Sequence, residues 1–158
     1  MKRVGAVFAV LLTVASAHAA PRCDQFKASI VERAAFNRIP APTFTLAHIN
    51  EPDSDLTYWT IDTFADVRAV MICERGVVQV FAVDAEDAEI QSRLHFLLLT
   101  AIGLHAYGME WRPALDFRDD LVRVASEARA AYSGVEGAKI SLIVNIEGVP
   151  SFQIDTEN

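Results

Sequence analysis

The sequence predicts an α+β domain: a mainly antiparallel sheet of about six strands with three helices, in the order α-β-β-β-β-α-α-β-β. Three observations carry this. Two apolar runs meet at Glu74-Arg75-Gly76, and two more meet at Glu147-Gly148, each with the signature of a hairpin. Two long segments between those hairpins repeat apolar residues at helical spacing. Because the helices are grouped rather than alternating with single strands, the class is α+β rather than α/β.

The chain opens with Lys2 and Arg3, an uncharged apolar run over 4–14, and the small-residue triplet Ala17-His18-Ala19. This is the pattern of a secretory signal peptide over 1–19, with a single mature domain over 20–158. The apolar run is shorter than the roughly 20 residues needed to span a bilayer. Arg22 before Cys23 lacks the small side chain of a lipoprotein cleavage site. The expectation is a periplasmic or secreted protein with no membrane anchor in its mature form.

The first helix is expected over 24–37, where Phe26, Ile30 and Ala34 share one side with Cys23. Pro40 and Pro42 end it. Strands follow over 43–49 and 56–64, separated by the acidic turn 50–55; in the second strand Trp59 and Ile61 alternate with Tyr58, Thr60 and Asp62, which implies one wet face. The hairpin 67–73 and 77–83 is apolar on both faces apart from Arg68 and Gln79. Such strands sit in the middle of a covered sheet, so the hairpin calls for cover on both faces, or on one face plus a subunit partner as in a homodimer.

Asp84 is expected to N-cap a long second helix through Tyr107, with Ile90, Leu94, Leu97, Leu98 and Ala101 as its apolar stripe. From Phe96 to Leu104 only Thr100 is polar, which implies burial on all sides, with Gly103 allowing a close approach. After Pro113 a third helix is expected to about Tyr132, with Phe117, Leu121, Val124, Ala125, Ala128 and Tyr132 on one face and Gly134 as its stop. The final hairpin occupies 139–146 and 149–154, and Pro150 suggests that its last strand lies at an edge.

Cys23 and Cys73 are expected to form a disulfide, since an even pair in an oxidising compartment usually bonds. Of 14 basic residues, two leave with the signal segment, and none of the 21 acidic residues does, so the mature charge is −9. A chain of that sign is repelled by phosphate backbones, which argues against nucleic acid as a partner.

Little in the sequence points to catalysis. It lacks G-x-S-x-G, a phosphate loop and a dinucleotide fingerprint, and no cofactor is implied. His95 and His105 are ten residues apart on one helix and point about 80° apart, so they cannot share a metal, and no metal site is expected. His105 is read as satisfying a carbonyl at the helix end. Glu89, Ser92 and His95 form a polar strip rather than a triad. Asp53-Ser-Asp55 lacks the glycine and glutamate of a calcium loop and reads as a solvated turn. No residue is assigned a catalytic role.

The most suggestive segment is the interhelical elbow 107–113. Tyr107, Trp111 and Arg112 are residue types that anchor interfaces, and they are the candidate binding residues; the competing reading makes Trp111 a plug in the helical layer. The α+β pattern with an acidic surface resembles small secretion-chaperone domains in outline, although the order of helices departs from theirs, and such a likeness alone carries no function. The function expected is therefore a non-catalytic exported domain (chaperone, adaptor or inhibitor-like) that binds a protein or a small apolar ligand. The alternative is a small extracytoplasmic hydrolase, which requires a cleft where His48, His95 or His105 meets an acid or a hydroxyl.

Overall fold

The computed structural model describes residues 19–47, 55–135 and 137–157. The proposed signal segment up to residue 18, His48 and most of the acidic turn lie outside these residues. Helix α1 (Cys23–Phe36) is followed by strands β1 (Thr43–Ala47), β2 (Leu56–Phe64), β3 (Val67–Glu74) and β4 (Val77–Ala85). Helices α2 (Ile90–Ala106) and α3 (Trp111–Ala128) come next, then β5 (Ala130–Val135), β6 (Ala138–Val144) and β7 (Pro150–Thr156). All seven strands form one antiparallel sheet in the order β1-β2-β3-β4-β7-β6-β5. The class is α+β, as the sequence implies. Among the described residues no helix is long and apolar enough to cross a membrane.

Alternation along the strands separates the two faces of the sheet. Val67, Ala69, Met71 and Cys73 of β3 are buried, as are Val78, Phe81 and Val83 of β4, Ile140 and Leu142 of β6, and Phe152 and Ile154 of β7. The three helices cover this face. α2 is the middle one: it lies over β3, β4 and β7, with α1 packed on one flank and α3 on the other.

That position explains why α2 is apolar nearly all round. Leu99, Ala101, Ile102, Gly103 and Leu104 are all buried, and Leu98 is partly buried against the core. The cover expected for Leu99 and Gly103 comes from the chain's own helices and sheet. At Gly103 the ring of Phe81 comes so close that a Cβ would collide with it. The same ring stacks at a tilt on Phe26 of α1, centroids 5.1 Å apart. Helix, sheet and neighbouring helix thus meet at one aromatic pair with no room for another carbon.

Cys23 and Cys73 form a disulfide across 50 residues, joining the start of α1 to the end of β3. Backbone bonds reinforce it: the Cys23 amide donates to Gly76 (2.9 Å) and the Val78 amide donates to the carbonyl of Pro21 (3.0 Å).

Four expectations are corrected. The third helix stops at Ala128, because Arg129 adopts φ +64°, the left-handed conformation that usually marks a glycine cap. The chain then forms β5, a seventh strand, and Tyr132 lies on it 74% exposed instead of on a buried helical face. β7 is not an edge: it pairs with β4 and β6, and Pro150 is tolerated as its first residue, where pairing with β4 has not yet begun. Asp84 caps no helix. It stays in β4 on the face away from the helices and accepts a hydrogen bond from Ser151, while α2 starts at Ile90 after a turn in which Asp87 accepts the Glu89 amide (2.9 Å). α2 is consequently rotated from its expected face: Ile90 and Leu94 are exposed, and Ser92 and Phe96 point inward.

Gly103→Ala tests the close seating of α2. On propensity alone it stabilises a helix by about 1 kcal/mol. Collision with Phe81 should reverse the sign, giving a loss of about 1–3 kcal/mol in urea unfolding; a neutral or stabilised variant contradicts the seating. Replacing both cysteines with Ala should cost roughly 4 kcal/mol on the loop-entropy argument. Alkylation of the unreduced protein followed by mass spectrometry should label no thiol in the parent chain.

Candidate functional site

The face of the sheet turned away from the helices is the largest feature not explained by the chain's own packing. Register places its residues in cross-strand rows. One row runs Tyr58, Ile72, Val80, Asp155, Lys139, Gly134. The next runs Thr60, Val70, Ala82, Gln153, Ser141, Tyr132. Neither row contains a buried residue. Tyr58, Val70, Ile72, Val80 and Ala82 adjoin one another on β2–β4 and make an apolar centre. Around it lie polar pairs made within the chain: Gln153 Nε2 donates to Asp155 (2.7 Å), Arg68 pairs with Glu86 (3.7 Å) and Lys139 with Glu157 (3.1 Å). The hairpin expected to need cover on both faces therefore has it on one, among the described residues. Toward β5 the face dips into an open hollow of about 790 Å³ lined by Tyr132, Gly134, Lys139, Ser141, Asp155 and other residues.

The elbow is shorter than expected, because α3 begins at Trp111 and takes in Trp111 and Arg112, and its residues do not form a single surface. Tyr107 is buried, and its hydroxyl bonds to Thr156 Oγ1 at 2.8 Å. Burial pushes its phenol pKa up, partly offset by the Thr156 bond. Trp111 is half-buried, with the guanidinium of Arg33 4.8 Å from its ring and His105 edge-on at 5.9 Å. Arg112 is exposed and pairs with Asp116 one turn on, at 3.3 Å. His105 sits as a carbonyl-satisfying residue: its Nδ1 donates to the carbonyl of Met109 (2.7 Å). Arg33 can only donate, so Nε2 of that ring accepts (3.0 Å) and the tautomer follows. Arg33 was not legible as a partner because it comes from α1, 72 residues earlier.

His95 has a carboxylate partner that sequence spacing did not suggest. Its Nδ1 lies 2.8 and 2.9 Å from the two oxygens of Asp66 in the β2–β3 turn. Its ring stacks on Phe64 with centroids 3.7 Å apart, and Gln91 Nε2 lies 2.7 Å from its Nε2. Ser92, which is buried, also bonds to Asp66. Burial alone pushes the Asp66 carboxyl up; the bonds from His95, its own amide and Ser92, with the His95 charge, outweigh this and hold it below the usual range. Chemically this is an imidazole oriented by a carboxylate, one half of an acid–base relay. The other half is missing, because the Ser92 hydroxyl is turned to Asp66 and not to Nε2. The cluster ties the β2–β3 turn to α2. Glu89 forms the N-cap position of α2 rather than a third member.

Asp55, the described end of the acidic turn, accepts from Arg75 at 3.1 Å. Among the described residues no group of three or more His, Cys, Asp or Glu side chains is placed to hold a metal ion.

A carboxyl held below its ordinary pKa stabilises the folded chain where it is ionised. The Asp66 contribution is full above about pH 4, the unfolded value, and is lost as pH falls through the lower folded value. Asp66→Asn should therefore destabilise the protein most at neutral pH, and the gap from the parent should narrow in acid. Urea unfolding across that range measures it; a gap that widens in acid contradicts the assignment. In comparisons with known proteins, no family model, no curated protein and no solved structure matches this chain.

Proposed function

We propose that the chain is an exported, non-catalytic binding domain whose contact surface is the open face of its sheet, and that its ligand is another protein. The observation that carries this is one-sided cover: a seven-stranded sheet with helices on one face and an apolar centre, Tyr58, Val70, Ile72, Val80 and Ala82, on the other. An apolar centre ringed by internally matched polar groups has the anatomy of a protein interface. The hollow at the edge of this face is open and partly lined by charged side chains, which favours a protein over a small apolar ligand. The Cys23–Cys73 disulfide and the signal-like segment 1–19 support a periplasmic or secreted setting. With a mature charge of −9, a partner with a basic rim is favoured.

The hydrolase alternative draws on one observation, the Asp66–His95 contact. Among the described residues Nε2 of His95 meets Gln91 and not a nucleophile.

Site-specific photo-crosslinking in the native extracytoplasmic fraction tests the proposal. A photoreactive residue at Val70 or Ile72 should yield a discrete protein adduct, and one at Ser126 on the exposed side of α3 should not. Absence of an adduct from the sheet positions, or the same adducts from Ser126, overturns it. Ile72→Lys should abolish the adduct from position 70 while leaving the melting temperature nearly unchanged.

A further inference from the structure

The two edges of the sheet differ. β1 (Thr-Phe-Thr-Leu-Ala) is also free of charge and proline within the strand, but Pro40 and Pro42 stand just before it and discourage a further strand. β5, at the other edge, reads Ala-Ala-Tyr-Ser-Gly-Val and contains neither a charge nor a proline. Natural edges of this kind are usually blunted by lysine, proline or a bulge, and β5 has none of them. Among the described residues it pairs with β6 alone.

Two further features lie along this edge. Tyr132 projects from the open face 74% exposed, and two residues later Gly134 has empty space where a Cβ would stand. Above the sheet, α3 packs on β5 and β6. Its α2 side is marked by Arg118, which donates to the carbonyl of Leu97 (3.3 Å). By helical rotation the flank turned from α2, about 80–120° round from Arg118, carries Phe117, Val124 and Ala128, with Asp120 at its outer margin. Val124 is 39% exposed. An uncharged strand edge thus runs beside a mostly apolar helical flank in a chain of mature charge −9.

We infer that β5 pairs antiparallel with β5 of a second copy of this chain, making one continuous sheet across a two-fold axis. Pairing must keep like faces together, because a one-residue slip turns every side chain over. Centring the axis on Ser133 meets this requirement and sets Tyr132 of each copy opposite Gly134 of the other. Each bulky ring then fills the space that the facing glycine leaves open, twice by symmetry. The two α3 helices come about 10 Å apart, the ordinary distance for packed helices. The contact is about 20 Å long, from six extended residues, and about as deep from Tyr132 to α3, so both copies together bury roughly 800–1,000 Å², near the lower bound for a specific interface. The paired strands themselves bring no charge to the axis, so two acidic chains can meet along them. The dimer leaves the open face free and places both copies of it on the same side.

Sedimentation equilibrium of the oxidised mature chain tests this, with two variants. The parent should be a dimer, and Tyr132→Lys should shift it to monomer with a native circular dichroism spectrum. Ser133→Cys should form an interchain disulfide on mild oxidation, because its counterpart lies directly across the axis; Ala130→Cys should form far less. A parent that stays monomeric at every concentration reached overturns the inference. So does a dimer that survives Tyr132→Lys, one that fails to cross-link through position 133, or one dissociated by Ile72→Lys instead. The last result would place the second copy on the open face, whereas loss of crosslinked partner alone bears only on the binding proposal.

Discussion

The architecture depends on how closely α2 can approach the sheet. At Gly103 the helix backbone meets the ring of Phe81, and the same ring stacks on Phe26 of α1. With α2 seated this low, α1 and α3 fit on its flanks and still reach the sheet. A side chain at position 103 would lift the middle helix and loosen both neighbours, since a packed interior has no spare volume to absorb it. The disulfide from Cys23 to Cys73 then holds the start of α1 to β3.

One consequence is that all three helices are used on one side. The helical layer has a middle and two flanks, and among the described residues no helix returns to the other face. The opposite face keeps an apolar centre on β2–β4 and matched polar groups around it. The same residue pattern that makes β3 and β4 a good central hairpin leaves Val70, Ile72 and Val80 without a covering layer among the described residues. The proposed binding role and the inferred two-fold pairing of β5 both draw on this asymmetry: one concerns the face the helices leave open, the other the edge beside α3.

Most of the fold was legible because its signals are local. The hairpin at Glu74-Arg75-Gly76, the α1 stripe Phe26–Ile30–Ala34 and the all-round apolar run of α2 each report on their own few turns of chain. The failures share a cause. Arg129 ends α3 in a left-handed conformation that a search for glycine passes over, so β5 was absorbed into the helix. Pro150 suggested an edge because register is not visible in a single strand. Asp84 and the Ile90–Leu94 stripe misled because tertiary packing, not propensity, set where α2 begins and which way it turns. The candidate site was less legible still. His105 is completed by Arg33, which also covers Trp111, and His95 by Asp66, partners 72 and 29 residues distant from the two histidines in sequence. That Val70 and Ile72 share a face was readable from alternation; that the face stays open was not, because it depends on where three helices go.

The account rests on the sheet having one covered and one open face. Methyl-detected NMR with a soluble paramagnetic agent measures this directly. Methyl groups of Val70, Ile72 and Val80 should relax strongly, while those of Val78, Val83 and Ile102 should be almost unaffected. Equal protection of the two sets in the isolated protein would contradict the account, because it would mean that the face assigned to binding is already filled.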